Sequence, residues 1–309
     1  MRITNSMMIS NMMKNLARNT ERMSKYQNQL DSGKKISVPS DDPVVAARAL
    51  KLRTDVAKVE QYQKNLNDAR SWLDITDEAL SKMGDLIQRA RELTVQASNG
   101  TYDNPDTKNI ALEVSQLKAQ AIHLTNSTYA GRYIFSGFKT DQKLVIDDEN
   151  DPMYGQFGIV VDNVNEKLLY EIGTGDSINI NVTGGDVFNN GANAVSGTVP
   201  SLIQVFNDLI TNMSSGNLSG TSAQVSKLDT EFNNILRARA DVGARVNRVD
   251  LTENRTNYDL VNYTELMSKN EDVDIAETIM NLKNEENVYQ ASLAGGARII
   301  QQTLIDFLR

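Results

Sequence analysis

The sequence predicts a mainly α fold: an elongated antiparallel helical bundle or coiled coil, with long N- and C-terminal helices paired and a small β-rich domain inserted in the middle. Three observations carry this. Only five prolines occur in 309 residues, and proline breaks helix interiors, so 1–38 and 44–104 are free to form long helices. Twelve of the 18 glycines lie between Gly131 and Gly220, and none lies in 1–32 or 44–83. Residues 141–190 hold ten acids and two lysines, which accounts for the whole net charge of −8. A helical chain is interrupted by an acidic module of another kind.

The first helix is expected from a stripe at Ile9, Met12, Leu16, Asn19, Met23, Tyr26 and Leu30, whose steps of three and four give a coiled-coil period. A second stripe follows Pro43 at Val45, Ala49, Leu52, Val56, Val59, Gln63 and Leu66. It shifts and resumes at Thr76, Ala79, Met83, Leu86, Ala90, Leu93 and Ala97. Asn99-Gly100 stops it, because both residues tolerate the left-handed conformation of helix C-termini. Asn104 with Pro105 starts a shorter helix carrying Ile110, Val114, Leu117, Ala121 and Leu124.

Short apolar or alternating runs then predict strands at 133–135, 144–146, 158–161, 167–172 and 177–182, divided by turn residues such as Asp151-Pro152 and Gly173–Asp176. Helical spacing returns at Val225, Leu228, Phe232, Ile235, Val242, Val246, Val249 and Leu260. The last stripe reads Ile275, Ile279, Leu282, Tyr289 and Leu293. It slips at Gly295-Gly296 and continues through Ala297, Ile300, Leu304 and Phe307. The expected divisions are 1–40 with 270–309, 41–130 with 200–269, and the insert 131–199.

The two ends carry opposite charge, +5 over 1–40 and −4 over 271–309, as matched coiled-coil partners do. Six of the 11 methionines lie in the first 23 residues, a flexible surface suited to several neighbours. The terminal stripes at Ile9, Met12, Leu16, Met23, Leu30, Ile279, Leu282, Leu293, Ile300, Leu304 and Phe307 are therefore the expected assembly interface, ordered when fellow subunits cover them.

Composition excludes much chemistry. There is no cysteine and one histidine, so cysteine or multi-histidine metal sites and thiolate catalysis are out, and no metal or cofactor site is expected. A mildly acidic chain is a poor nucleic-acid binder. No run of about 18 apolar residues exists to span a membrane. The first fifteen residues lack a signal-peptide pattern, so export is expected to leave this end uncut. Ser32–Lys35 lacks the glycine and hydroxyl of a phosphate loop, and Asp147–Asp151 lacks calcium-loop spacing. His123 has no nucleophile elbow to serve, so no enzyme is expected.

Three stretches resemble the flagellin family. They are the linker Ser32–Pro43, the segment Gln88–Thr101 and the returning run Gly243–Arg248. The second is the most specific, and its Gln88, Arg89, Arg91, Glu92, Leu93, Gln96, Asn99 and Gly100 form the family motif of the helical bundle. Gly131–Thr140 and the C-terminal run from Asn287 are similar to the branch that forms the junction between hook and filament. The resemblance implies a structural subunit exported through the flagellar type III channel, with a chaperone on its C-terminal helices. It also implies assembly with itself as a helical ring between hook-associated protein 1 and the flagellin filament. Two alternatives stay open: the main filament subunit, and a secreted hydrolase or metal binder built on the β insert.

Overall fold

The computed structural model describes residues 5–99 and 104–306. The helices are α1 (Asn5–Ser32), α2 (Pro43–Ser98), α3 (Asn104–Thr125), α4 (Gly184–Phe188), α5 (Ser201–Ser215), α6 (Leu218–Glu271) and α7 (Ile275–Asp306). Two antiparallel hairpins lie between α3 and α4: β1 (Thr128–Tyr129) with β2 (Arg132–Tyr133), and β3 (Leu169–Gly173) with β4 (Asp176–Asn179). The chain divides into two compact units, 1–59 with 258–309 and 60–257, and both α2 and α6 run through the division.

In the larger unit α2 and α6 lie side by side and antiparallel. Arg91 pairs with Asp229 at 2.6 Å, Arg239 with Asp77 at 2.9 Å, and Arg70 with Asp250 at 3.1 Å and Glu253 at 3.3 Å. Polar Arg239 and Glu253 interrupt the stripe of α6 because each answers a charge on α2. Thr256 is buried and returns its hydroxyl to the Thr252 carbonyl. On α2 the stripe Thr76, Ala79, Met83, Leu86, Ala90, Leu93 and Ala97 is buried throughout. So are Leu73, Leu80 and Ile87, because this helix meets more than one neighbour.

The core does not stop at the insert. Phe135, Leu144, Phe157, Ile172 and Phe188 of the insert are continuous with Leu66, Trp72, Ile122, Ile203 and Phe206 of the helices. The β3–β4 hairpin is clamped from α6: Arg245 donates to the carbonyls of Asn179 and Asn181, and Arg248 to the Asp176 carboxylate at 2.6 Å. From α2, Asn65 donates to the Glu171 carbonyl at 2.7 Å. Gly137 takes φ +61°, and a Cβ there would strike the Glu166 carboxylate and Val161.

The structure differs from the sequence reading in this region. Runs 167–172 and 177–182 supply β3 and β4, whereas 144–146 and 158–161 contribute only the single bridges Val145–Phe157 and Val161–Ala194. Helix α5 had no counterpart in the reading. Its signals are Leu202, Ile203, Val205, Phe206, Leu209 and Met213, all buried, and a left-handed stop at Gly216.

Among the described residues of this unit, the buried carboxylate of Glu231 has no cation beside it. Glu231 of α6 accepts from the Ser201 hydroxyl and from Asn190 at 2.8 Å, and its Oε2 has no partner. Burial pushes its pKa up, because the charged form loses its hydration. The stability it contributes is present at low pH and lost as pH rises through its folded value. Glu231→Gln is therefore expected to raise the thermal midpoint at neutral and alkaline pH, with the difference shrinking on acidification. A pH-independent difference would contradict this.

Candidate assembly interface

In the smaller unit α1 and α7 pack antiparallel. Arg22 reaches Glu285 at 2.9 and 3.1 Å, Met12 lies over Gly296, and Lys34 pairs with Asp272 at 2.6 Å. These are successive levels of two rods running in opposite directions. The stripe read on α1 is the face turned inward: Ile9, Met12, Leu16, Met23, Tyr26 and Leu30 are half-buried and Asn19 is buried.

On α7 the inward face differs from the stripe in the sequence. It uses Thr278, Leu282, Glu285, Tyr289 and Gly296, while Ile275, Ile279 and Leu293 are exposed. Leu282 and Tyr289 pack inward beside small and polar residues that let α7 approach α1, while Ile275, Ile279 and Leu293 stay uncovered. Ile300 and Leu304 fall on α7 with side chains outside the described ones, and Phe307 lies outside the described residues. The charge match between the ends is narrow. Arg22–Glu285 is its one ion pair along the helices among the described residues; Lys14 and Arg18 have no ionic partner there.

Where the two terminal helices join the rest of the chain, their connections zip together. The Lys35 amide donates to the Glu271 carbonyl at 2.7 Å and the Val273 amide to the Gly33 carbonyl at 3.0 Å. Gly33 takes φ +68°, which ends α1 without strain. The Glu271 carboxylate, 2% exposed, accepts both arms of the Arg53 guanidinium at 2.7 and 2.6 Å and has Lys34 at 3.5 Å.

Bidentate bonding to Arg53 holds the Glu271 pKa below the usual carboxylate range, and Lys34 does the same for Asp272. Their contribution to stability is full above the ordinary carboxylate range and is lost as pH falls through the lowered values. Acid is accordingly expected to open this corner, seen as lower amide protection at Lys35 and Val273 relative to the intrinsic exchange rate at each pH. Unchanged protection down to pH 3 would contradict it.

The motif on α2 presents a polar outer face. Gln88, Arg89, Arg91, Glu92, Gln96 and Asn99 are exposed, and Leu93 is buried in the core. Arg89 joins Glu113 of α3 at 2.7 Å and Glu92 at 3.2 Å, so it ties α2 to α3, while Arg91 ties α2 to α6. Gly100 lies outside the described residues. Among the described residues no three His, Asp or Glu side chains converge as a metal site, and no helix is long and apolar enough to cross a membrane.

The profile of the bacterial flagellin N-terminal helical region matches residues 3–140, and that of the C-terminal helical region matches residues 225–308. Together they take in well over half of the chain. The chain belongs to the bacterial flagellin family. The segment between the two matched regions of this flagellin-family chain carries most of the insert. Flagellar hook-associated protein 3 of Escherichia coli is 28% identical, over 94% of this chain and 95% of that one. Flagellin of Bacillus subtilis is 29% identical over 98% and 97%. Among solved structures, the flagellar junction protein of Legionella pneumophila matches with a TM-score of 0.56 at 17% identity, over 74% of this chain and all of that one, a likeness of fold.

Proposed function

We propose that this chain is a structural subunit of the bacterial flagellum that joins hook to filament. It works by assembling through its terminal helices and not by catalysis. The observation that carries the reading is the paired but incompletely covered state of those helices. Met7, Met8 and Met13 of α1 and Ile275, Ile279, Met280, Val288 and Leu293 of α7 stay exposed although each helix already has a partner. Apolar area of that kind on paired rods is what neighbouring subunits bury. A head-to-tail contact that does not close propagates a helix, so one set of faces suffices for a helical ring.

On this reading Ile9, Met12, Leu16, Met23, Leu30, Ile279, Leu282, Leu293, Ile300, Leu304 and Phe307 serve assembly. The chain divides functionally into terminal helices, a helical bundle carrying the Gln88–Gly100 motif, and the insert 131–199. Its neighbours are hook-associated protein 1, flagellin and other copies of itself. An export chaperone covers the C-terminal helices before assembly, and the subunit ends outside the cell at the hook–filament junction. The near-full-length similarity to hook-associated protein 3 supports the junction role. The equally long similarity to flagellin keeps the main filament subunit as the alternative.

Deleting the gene separates the two. A junction subunit leaves hooks without filaments and intact flagellin released into the medium. Hooks without filaments and no released flagellin would mean that the deleted protein was the filament subunit.

A further inference from the structure

The α1–α7 seam carries two features that a helix pair built only for stability would omit. The first is polar. Asn19 occupies a seam position between Leu16 and Met23, 6% exposed, and its Oδ1 accepts from Arg22 at 2.6 Å. The same guanidinium grips the Glu285 carboxylate with two further bonds. A leucine at position 19 would bury more apolar area; a buried asparagine at such a position gives up stability and selects register. The second is a notch. Gly296 is buried beneath Met12, and a Cβ built on it would strike the thioether end of Met12, so that side chain would have to swing aside.

Heptad pairs slip most easily by seven residues, because the apolar stripe then falls on itself again. A slip of that size moves Arg22 from Glu285 to Thr278 or Ser292, neither of which is charged. It also moves Met12 from Gly296 to Tyr289 or Thr303, so the glycine notch is lost together with the carboxylate. We propose that Asn19, Arg22 and Glu285, with Met12 seated on Gly296, form a register key that admits one alignment of the two terminal helices. The outward face then presents Ile275, Ile279 and Leu293 at fixed heights. A pair free to slide would offer those residues at offsets of about 10 Å, seven residues at 1.5 Å each.

The absence of cysteine makes the test clean. Full-length chains carry Tyr26→Cys with Leu282→Cys, which the Arg22–Glu285 and Met12–Gly296 contacts place at one level of the antiparallel pair, or Tyr26→Cys with Tyr289→Cys, which reach one level only after a slip of one heptad. Each pair is equilibrated in a glutathione redox buffer at low protein concentration and scored for intramolecular disulfide. Disulfides need Cα atoms within about 7 Å, so the two pairs report different registers.

With the key intact, the observed-register pair should dominate. In Asn19→Leu/Glu285→Leu the ratio of native to slipped disulfide should fall at least about tenfold, each factor of ten corresponding to 1.4 kcal/mol. An unchanged ratio would overturn the proposal. Loss of both disulfides would overturn it as well, since the residues would then hold the helices together and not select their alignment. Gly296→Leu in the otherwise native chain should shift the ratio in the same direction, and no shift there would remove the notch from the key.

Discussion

Ile279→Asp is expected to abolish incorporation into flagella while leaving the isolated chain as stable as before. Ile279 is 46% exposed on α7, so in the monomer a carboxylate there stays hydrated, and surface changes of this kind stay within about 0.5 kcal/mol. Assembly is different. If a neighbouring copy covers this face, the carboxylate must leave water without a cation to meet it, a penalty of several kcal/mol per contact. That penalty recurs at every subunit of a ring. The check pairs a melting curve of the purified variant with electron microscopy of cells producing it. An unchanged midpoint with bare hooks is the expected pair of results. A sharp fall in the midpoint would mean that Ile279 is already packed within one chain.

The largest effect on folding is expected from Phe188→Ala. Phe188 is 1% exposed and meets Phe135 edge-on, with ring centroids 5.0 Å apart at 78°. Removing a buried phenylalanine costs about 3–5 kcal/mol, and the lost aromatic pair lies within that range. Against a typical total of about 5–15 kcal/mol, this is a large share. The loss should not stay local. Both rings belong to a cluster running from the insert into α2, α3, α5 and α6, so the insert and the surrounding helices should unfold together. Denaturant curves read by Trp72 fluorescence and by the amide signals of the insert should move to lower denaturant in step. Two separated transitions would contradict a continuous core.

The helices were legible because their evidence is local. The α1 stripe from Ile9 to Leu30 is the face that packs, and the shift after Leu66 on α2 marks where a new set of positions becomes fully buried. What a stripe cannot say is which neighbour covers it. Ile275, Ile279 and Leu293 form an apolar line on α7, yet α1 sits against Thr278, Leu282, Glu285, Tyr289 and Gly296. Hydrophobicity located a face to be buried, while close approach was set by a glycine and a salt bridge.

Helix α5 carries a regular helical stripe at Leu202, Phe206, Leu209 and Met213, and only its short length beside a glycine-rich stretch hides it in the sequence. The insert was legible in composition and poorly legible in strands. Most of its order comes from turns, single bridges and side-chain bonds such as those from Arg245. Glu231 and Glu271 look alike in sequence. Only packing distinguishes a carboxylate buried without a cation from one held by Arg53.

Assembly needs terminal helices that pair within a chain and are completed only by other copies. Amide hydrogen exchange on dilute monomer and on assembled material tests it most directly. Predicted is weak protection of α1 and α7 in the monomer beside strong protection of α2 and α6 within 60–257, with the terminal helices becoming protected on assembly. Protection of α1 and α7 in dilute monomer equal to that of the core helices would contradict it.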